Sequence, residues 1–369
     1  MPLHVYQNRY RWTKDGEVFD IATRVGRVIQ NTEDGKLTFL KPSDDDEGKY
    51  LCFAENEDGI ARSTVIRVKK AFLGSFTNES LIREMEAVEG DPFTLECVAP
   101  NGVPKPNIFW LIQTTQGAIK SVDNPRVTLS PETGNLWFST VKREDAIKDS
   151  YYVCSAASFL ADEYKFGNRI ALKVLPRMTK IQKGLPPTLQ YVSPTNLFAL
   201  RGKNMEIFCI YGGSTLLKLA WSKDGKSIEY NEKIISENYG KSLKIKKVDE
   251  ADGGNYTCEV TSENGESVTS NFSVEINYPP EFIKEPMSRN VTVNEPLEIE
   301  CEIVGNPAPT LQWFFNGIPI DDKVPDWELR KNKIVNKAVQ KSNKGNYACY
   351  ATNDASYIFK DIYVNVVEA

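Results

Sequence analysis

The chain has 369 residues, 41% of them hydrophobic, and a formal charge of −5. That is enough for about two to four domains with cores of their own, and it carries no basic footprint of the kind nucleic-acid binding needs. No stretch approaches the roughly 20 consecutive apolar residues of a membrane-spanning helix, the opening "MPLHVYQNRYRW" lacks the apolar core of a secretory signal, and the single histidine, His4, leaves little room for histidine-dependent catalysis or zinc.

A repeat of about 90 residues organises the rest. The first unit, residues 1–69, offers Trp12, apolar Leu37 and Phe39 at alternating positions, and "DEGKYLC" ending at Cys52. The second, 70–176, has Cys97, Trp110, the strand Leu136, Phe138 with Val141, and "KDSYYVC" ending at Cys154. A linker at 177–189 leads to the third unit, 190–277, with Cys209, Trp221, Leu243, Ile245, Val248 and "DGGNYTC" ending at Cys258. The fourth, 278–369, has Cys301, Trp313, Ile334, Val339 and "NKGNYAC" ending at Cys349.

Cysteine, tryptophan 12 or 13 residues later, then tyrosine-x-cysteine is the pattern of an immunoglobulin β-sandwich. It predicts an all-β array in which Cys97–Cys154, Cys209–Cys258 and Cys301–Cys349 staple two sheets across a core tryptophan. Counting back the same distance from Trp12 passes the first residue, so Cys52 is expected to be a free thiol and the first domain to lack its first strands, exposing Trp12, Leu37 and Phe39. The corner before each late cysteine carries an acid at Asp46 and Asp252. Asn343 takes that place in the fourth unit, and the second has Lys148 there, with Ser150 for the usual glycine and a longer corner.

Junctions differ. "VIRVKKAFLGSF" and "VEINYPPEF" are short and hold neighbours roughly end to end, whereas "KVLPRMTKIQKGLPPTLQYVS", at about 172–192 with three prolines, is long enough to let the chain double back.

Three disulfides closing loops of about 50 residues contribute roughly 4 kcal/mol each in the loop-entropy account. They point to an oxidising, extracellular compartment, against a cytosolic chain with six buried thiols. Sequons at Asn78, Asn255, Asn271 and Asn290 fit a glycoprotein, although such short motifs also arise by chance. Extracellular chemistry without a leader suggests that the sequence is partial.

A search for chemistry finds no catalytic residue, metal site or cofactor. "DGKS" at 224–227 and "YGKS" at 239–242 lack the first glycine of a phosphate loop and read as turns between strands. "DDDEG" at 44–48 caps a corner rather than holding calcium, Lys244 and Lys246 line a solvated strand face, and "LRGKN" only approximates an integrin-binding triplet. Trp137 points outward between Leu136 and Phe138, either into a neighbouring domain or as an ordinary half-buried surface tryptophan. The chain is expected to be a binding device, not an enzyme, with neither nucleic acid nor a small-molecule substrate as partner.

Several stretches resemble the neuroglian family of insect neural cell-adhesion receptors: "GNLWFSTVKREDA" at 134–146, "YYVCSAASF" at 151–159, "LFALRGKNMEIFCIYGG" at 197–213, "AWSKDGKSIEY" at 220–230, "KYLCFAENEDG" at 49–59 and "ATNDASYIFKDIYVNV" at 351–366. The resemblance implies the four N-terminal immunoglobulin domains of a receptor anchored in the plasma membrane by a segment outside this sequence. It further implies a horseshoe, first domain against fourth and second against third, and homophilic adhesion in axon growth and guidance, with other immunoglobulin-superfamily receptors as further partners. The similar secreted insect immune protein hemolin supplies the alternative, recognition of microbial surfaces. Glycans on Asn255 or Asn271 would coat one face of the third domain and place the self-contact elsewhere.

Overall fold

The computed structural model describes residues 8–77, 81–130, 132–179, 185–213, 217–321 and 326–368. Two compact units make up the chain: Met1–Lys70 with Asn277–Ala369, and Ala71–Ile276. Each holds two β-sandwiches, so the first domain shares a unit with the fourth and the second with the third. These are the pairings that the family resemblance implies. His4 and Asn78 lie outside the described residues, as do residues 180–184 of the long junction.

In the second domain, one sheet runs Ile119–Ser121, Asn107–Thr114, Ser150–Ser158, Glu163–Leu175, Ile82–Val88, and the facing sheet Phe93–Leu95, Leu136–Phe138, Val127–Leu129. In the third, Asn196–Leu200, Ser267–Lys284, Gly254–Thr261, Lys218–Lys223 and Lys226–Ser227 face Thr188–Val192, Met205–Gly212, Ser242–Ile245 and Ile234–Glu237. Thr188 already pairs with Gly212, so the third domain starts within the predicted linker. The fourth repeats the plan with Arg289–Thr292, Tyr357–Val367, Gly345–Thr352, Thr310–Phe315 and Ile318–Ile320 against Leu297–Glu300, Lys333–Asn336 and Glu328–Arg330. In the first, Glu17–Val18, Arg9–Lys14, Gly48–Asn56 and Gly59–Arg62 form one sheet, and the hairpin Val28–Gln30 with Leu37–Phe39 supplies the other layer.

Strand alternation explains these layers. Along Gly254–Thr261, Tyr256, Cys258 and Val260 are buried while Asn255 and Glu259 face solvent. In all four domains the tryptophan sits directly across the ladder from the late cysteine: Trp12 from Cys52, Trp110 from Cys154, Trp221 from Cys258 and Trp313 from Cys349. Cys97–Cys154, Cys209–Cys258 and Cys301–Cys349 are bonded, with Cα atoms 5.9, 6.5 and 6.5 Å apart. Cys52 is free and half-buried, and burial raises its thiol pKa.

The corner before each late cysteine repeats to a tenth of an ångström or two. The tyrosine hydroxyl donates to a backbone carbonyl in every domain: Tyr50 to Asp46, Tyr152 to Asp145, Tyr256 to Asp252 and Tyr347 to Asn343, at 2.7, 2.9, 2.7 and 2.7 Å. The acid of the second domain is therefore Asp145 and not the Lys148 position. Its longer corner moves the carboxylate three residues upstream while keeping it buried and paired to Arg126 at 2.6 Å. Arg27 pairs Asp46 at 2.7 Å and Lys233 pairs Asp252 at 2.6 Å; in the fourth domain a neutral contact, Asn336 to Asn343 at 3.4 Å, takes the place of the ion pair.

A second correction concerns the first domain. Trp12, Leu37 and Phe39 are half-buried rather than exposed, because they pack around Phe19, Val28 and Tyr50 in a small aromatic core.

Candidate functional site: the paired-domain faces

The surfaces that hold domains side by side are the candidate functional elements. Among the described residues no group of three or more His, Cys, Asp or Glu side chains could hold a metal, and no helix is long and apolar enough to cross a membrane.

In the unit Ala71–Ile276, alternation sends Leu136 and Phe138 into the second domain's core and Trp137 out of it. On the strand Met205–Gly212 the same rule turns Ile207, Cys209 and Tyr211 inward and Phe208 and Ile210 outward. Trp137, 7% exposed, meets Phe208 and Ile210 and stacks on Tyr191 with ring centroids 5.1 Å apart. Burial and the Glu132 carboxylate raise the Tyr191 hydroxyl pKa. Main-chain and amide bonds flank this aromatic patch: Gly213 N–H donates to the Ser139 carbonyl at 2.8 Å and Gln190 Nε2 to the Phe138 carbonyl at 2.9 Å.

Lys241 closes the same contact. Its ammonium is buried between the two domains and donates to the Pro125 carbonyl at 3.0 Å and to Thr128 Oγ1 at 2.9 Å. Neither acceptor is charged. Burial, with repulsion from Arg126, pushes its pKa down to about 8.

The unit of the first and fourth domains uses different chemistry. Asn316 Oδ1 accepts from the backbone N–H groups of Ile60, in the first domain, and Asn346, in its own, at 3.2 and 3.0 Å. Asn346 Nδ2 reaches the Ile60 carbonyl at 3.4 Å and Asp361 at 2.8 Å, and burial raises the Asp361 pKa. The Arg62 guanidinium lies over the Phe314 ring at 4.2 Å. Gly59 makes the approach possible: a Cβ there would stand 2.4 Å from Asn316 Oδ1.

Of the expected glycan sites, Asn255 and Asn271 are exposed on adjacent strands of the third domain, where Thr257 Oγ1 donates to Asn271 Oδ1 at 2.9 Å. Asn290 is exposed on the edge strand of the fourth domain. Lys244 is not a free cation, since Glu237 pairs with it at 3.1 Å. The sequence reading missed Phe208, Ile210 and Lys241. The unbroken apolar run "IFCIY" at 207–211 was the available signal, for a strand buried on both faces loses its alternation.

These four sandwiches, three of them stapled by disulfides and all paired through dedicated faces, define a tandem immunoglobulin-domain protein. The immunoglobulin I-set domain family matches at residues 191–276 and the immunoglobulin domain family at 279–353. Neuroglian of Drosophila melanogaster is 43% identical over 97% of this chain, which spans 28% of that protein's length; Hemolin of Lonomia obliqua is 34% identical over 97% of this chain and 86% of its own. The crystal structure of the insect immune protein hemolin superposes with a TM-score of 0.78 at 29% identity, covering 100% of this chain and 93% of the other. The chain belongs to the immunoglobulin-superfamily group that contains neuroglian and hemolin.

Proposed function

We propose that this chain is the extracellular, N-terminal four-domain part of a neural cell-adhesion receptor that binds copies of itself on an opposing cell during axon growth and guidance. The observation that carries the reading is the 43% identity to Neuroglian across 97% of the chain. The hemolin structure, whose domain arrangement is described as having implications for homophilic adhesion, supports it, and so does the pairing of first with fourth and second with third domains. Weak self-contacts of this kind gain strength when many copies face each other across two membranes. Other immunoglobulin-superfamily receptors are the further partners. Asn255, Asn271 and Asn290 are the proposed glycan carriers among the described residues, and their placement leaves other faces for self-contact. Beads coated with the chain are expected to aggregate with one another and not with beads coated with an unrelated immunoglobulin array; equal, negligible aggregation of both would refute the homophilic reading.

The second reading is a secreted, hemolin-like protein that recognises microbial surfaces. Its support is the 34% identity to Lonomia hemolin across 97% of this chain and the match to the hemolin crystal structure. Binding to whole bacteria by protein whose coated beads do not aggregate would put it first.

A further inference from the structure

Beside the contact of the first and fourth domains lies a groove of about 400 Å³. The first domain supplies Arg62 and Arg67 to one wall; the outward sheet face of the fourth supplies Tyr350, Tyr357 and Phe359 to the other. Tyr357 and Phe359 are 47% and 44% exposed, and Tyr350 packs against Tyr357 at 5.9 Å. No carboxylate lines the groove, and neither arginine has an ion-pair partner among the described residues. In a chain with 50 acidic and 45 basic residues, an acid-free groove with two arginines is a local reversal of sign.

We propose that this groove binds a carboxylated sugar at the end of a cell-surface glycan. Arg62 is half-buried against Phe314, so its charge has given up water without gaining a counter-charge, and an incoming anion supplies one. A guanidinium fork matches a carboxylate in two parallel hydrogen bonds. The exposed rings offer flat apolar faces against which the C–H face of a sugar ring packs, while Thr64 and Gln312 bring hydrogen-bonding groups for its hydroxyls. The volume falls within the range of small-ligand sites, which run from about 300 to 1,000 Å³. A second copy fits poorly here, because a two-fold contact centred on the groove would set arginines against arginines.

The test uses the whole chain, titrated by calorimetry and saturation-transfer NMR with sialyllactose, with a glucuronic-acid-terminated disaccharide, with uncharged lactose and with a heparin hexasaccharide. At least one carboxylated sugar is expected to bind at millimolar or tighter affinity, with lactose at least tenfold weaker. Arg62→Gln is expected to weaken that binding at least tenfold. Because Arg62 also covers Phe314 at the domain contact, Tyr357→Ala on the opposite wall serves as the second variant and is expected to weaken binding similarly. Absence of binding at millimolar sugar, equal binding of lactose, binding of heparin alone, or unchanged binding in both variants would overturn the assignment. Bead aggregation of the same variants reads self-adhesion separately, so loss of sugar binding with aggregation retained leaves the homophilic reading untouched.

Discussion

Trp137 and Tyr191 stack with ring centroids 5.1 Å apart and planes 30° from parallel, one from the second domain and one from the third. Trp137 belongs to neither domain's own core, so its energy goes into their pairing. Truncating a buried tryptophan costs about 3–5 kcal/mol. Trp137→Ala is therefore expected to uncouple the two domains while leaving each folded. In the full chain, hydrogen exchange at the Gly213 amide, which donates to the Ser139 carbonyl across the pairing, should speed up while the near-ultraviolet signal of the disulfide-packed tryptophans Trp110 and Trp221 persists. Loss of that signal together with the pairing would show that Trp137 supports the domain fold itself.

The fold was legible because its markers are covalent or periodic. Cysteine, tryptophan and tyrosine at fixed spacing located each sandwich, and strand alternation alone pointed Trp137 outward. The misses have one physical origin: side chains fixed by a partner in another segment leave little local trace. Asp145 was overlooked because the corner was counted from Tyr152 at a constant distance, and the longer corner shifts the acid upstream. A better signal was a cation ten residues before the first apolar residue of the strand, Arg27 before Leu37, Arg126 before Leu136 and Lys233 before Leu243. Lys241 looked like one lysine among many; only the neighbouring domain makes it buried. Trp12, Leu37 and Phe39 were expected to be exposed, but a few aromatic side chains suffice to cover half of each.

Lys241 makes the second–third pairing depend on pH. Its pKa in the paired state is pushed down to about 8, below the ordinary lysine value of roughly 10.4. The separated state thus holds more protons between those limits, and pairing strengthens as pH rises through that interval. The full effect is on the order of 3 kcal/mol. Lys241→Met, which keeps the stem and drops the charge, is expected to be more stable than the parent at pH 7, with the gap narrowing by pH 10. The difference between the two proteins in urea unfolding is the quantity to follow. A gap that is constant with pH would mean that the ammonium is solvated.

The corner predicts that removing the acid in one domain and adding one in another are both destabilising. Asp145→Ala leaves the half-buried Arg126 with only the exposed Glu144, at 2.9 Å, as counter-ion and removes the acceptor for the Lys142 N–H at 2.8 Å, and is expected to destabilise the second domain by about 1–3 kcal/mol. In the fourth domain, Asn343→Asp places a charge beside Asn336, with no cation recorded on it among the described residues. That change is expected to cost about 1–3 kcal/mol. Thermal unfolding of each variant measures both; a stabilising Asn343→Asp would show that a cation reaches the corner.

The core tryptophans separate packing from hydrogen bonding. Trp110 Nε1 donates to the Gly134 carbonyl at 2.7 Å and Trp221 Nε1 to the Gly240 carbonyl at 2.9 Å, whereas Trp313 Nε1 is buried with no partner among the described residues. Replacement by phenylalanine removes similar ring area in each, but only at Trp110 and Trp221 does it also strand a carbonyl. Trp313→Phe is expected to be milder than Trp110→Phe by about 1 kcal/mol in denaturant unfolding. Equal losses would indicate that ring volume alone decides the cost.

Gly59 controls the contact of the first and fourth domains. Its φ of +148° suits glycine, and an added Cβ would meet Asn316 Oδ1 at 2.4 Å and the Asn346 nitrogen at 2.8 Å. Asn316 cannot retreat cheaply, because the same oxygen accepts from both Ile60 and Asn346. Gly59→Ala is therefore expected to break this shared acceptor and push the domains apart locally, without touching the fourth domain's core around Trp313 and Tyr347. Hydrogen exchange resolves the two possibilities. The Ile60 and Asn346 amides should exchange at least tenfold faster, while those of Tyr347 and Cys349, on the strand Gly345–Thr352, keep their protection. Unchanged protection at Ile60 would mean that the backbone absorbs the methyl group and that the contact does not depend on glycine at this position.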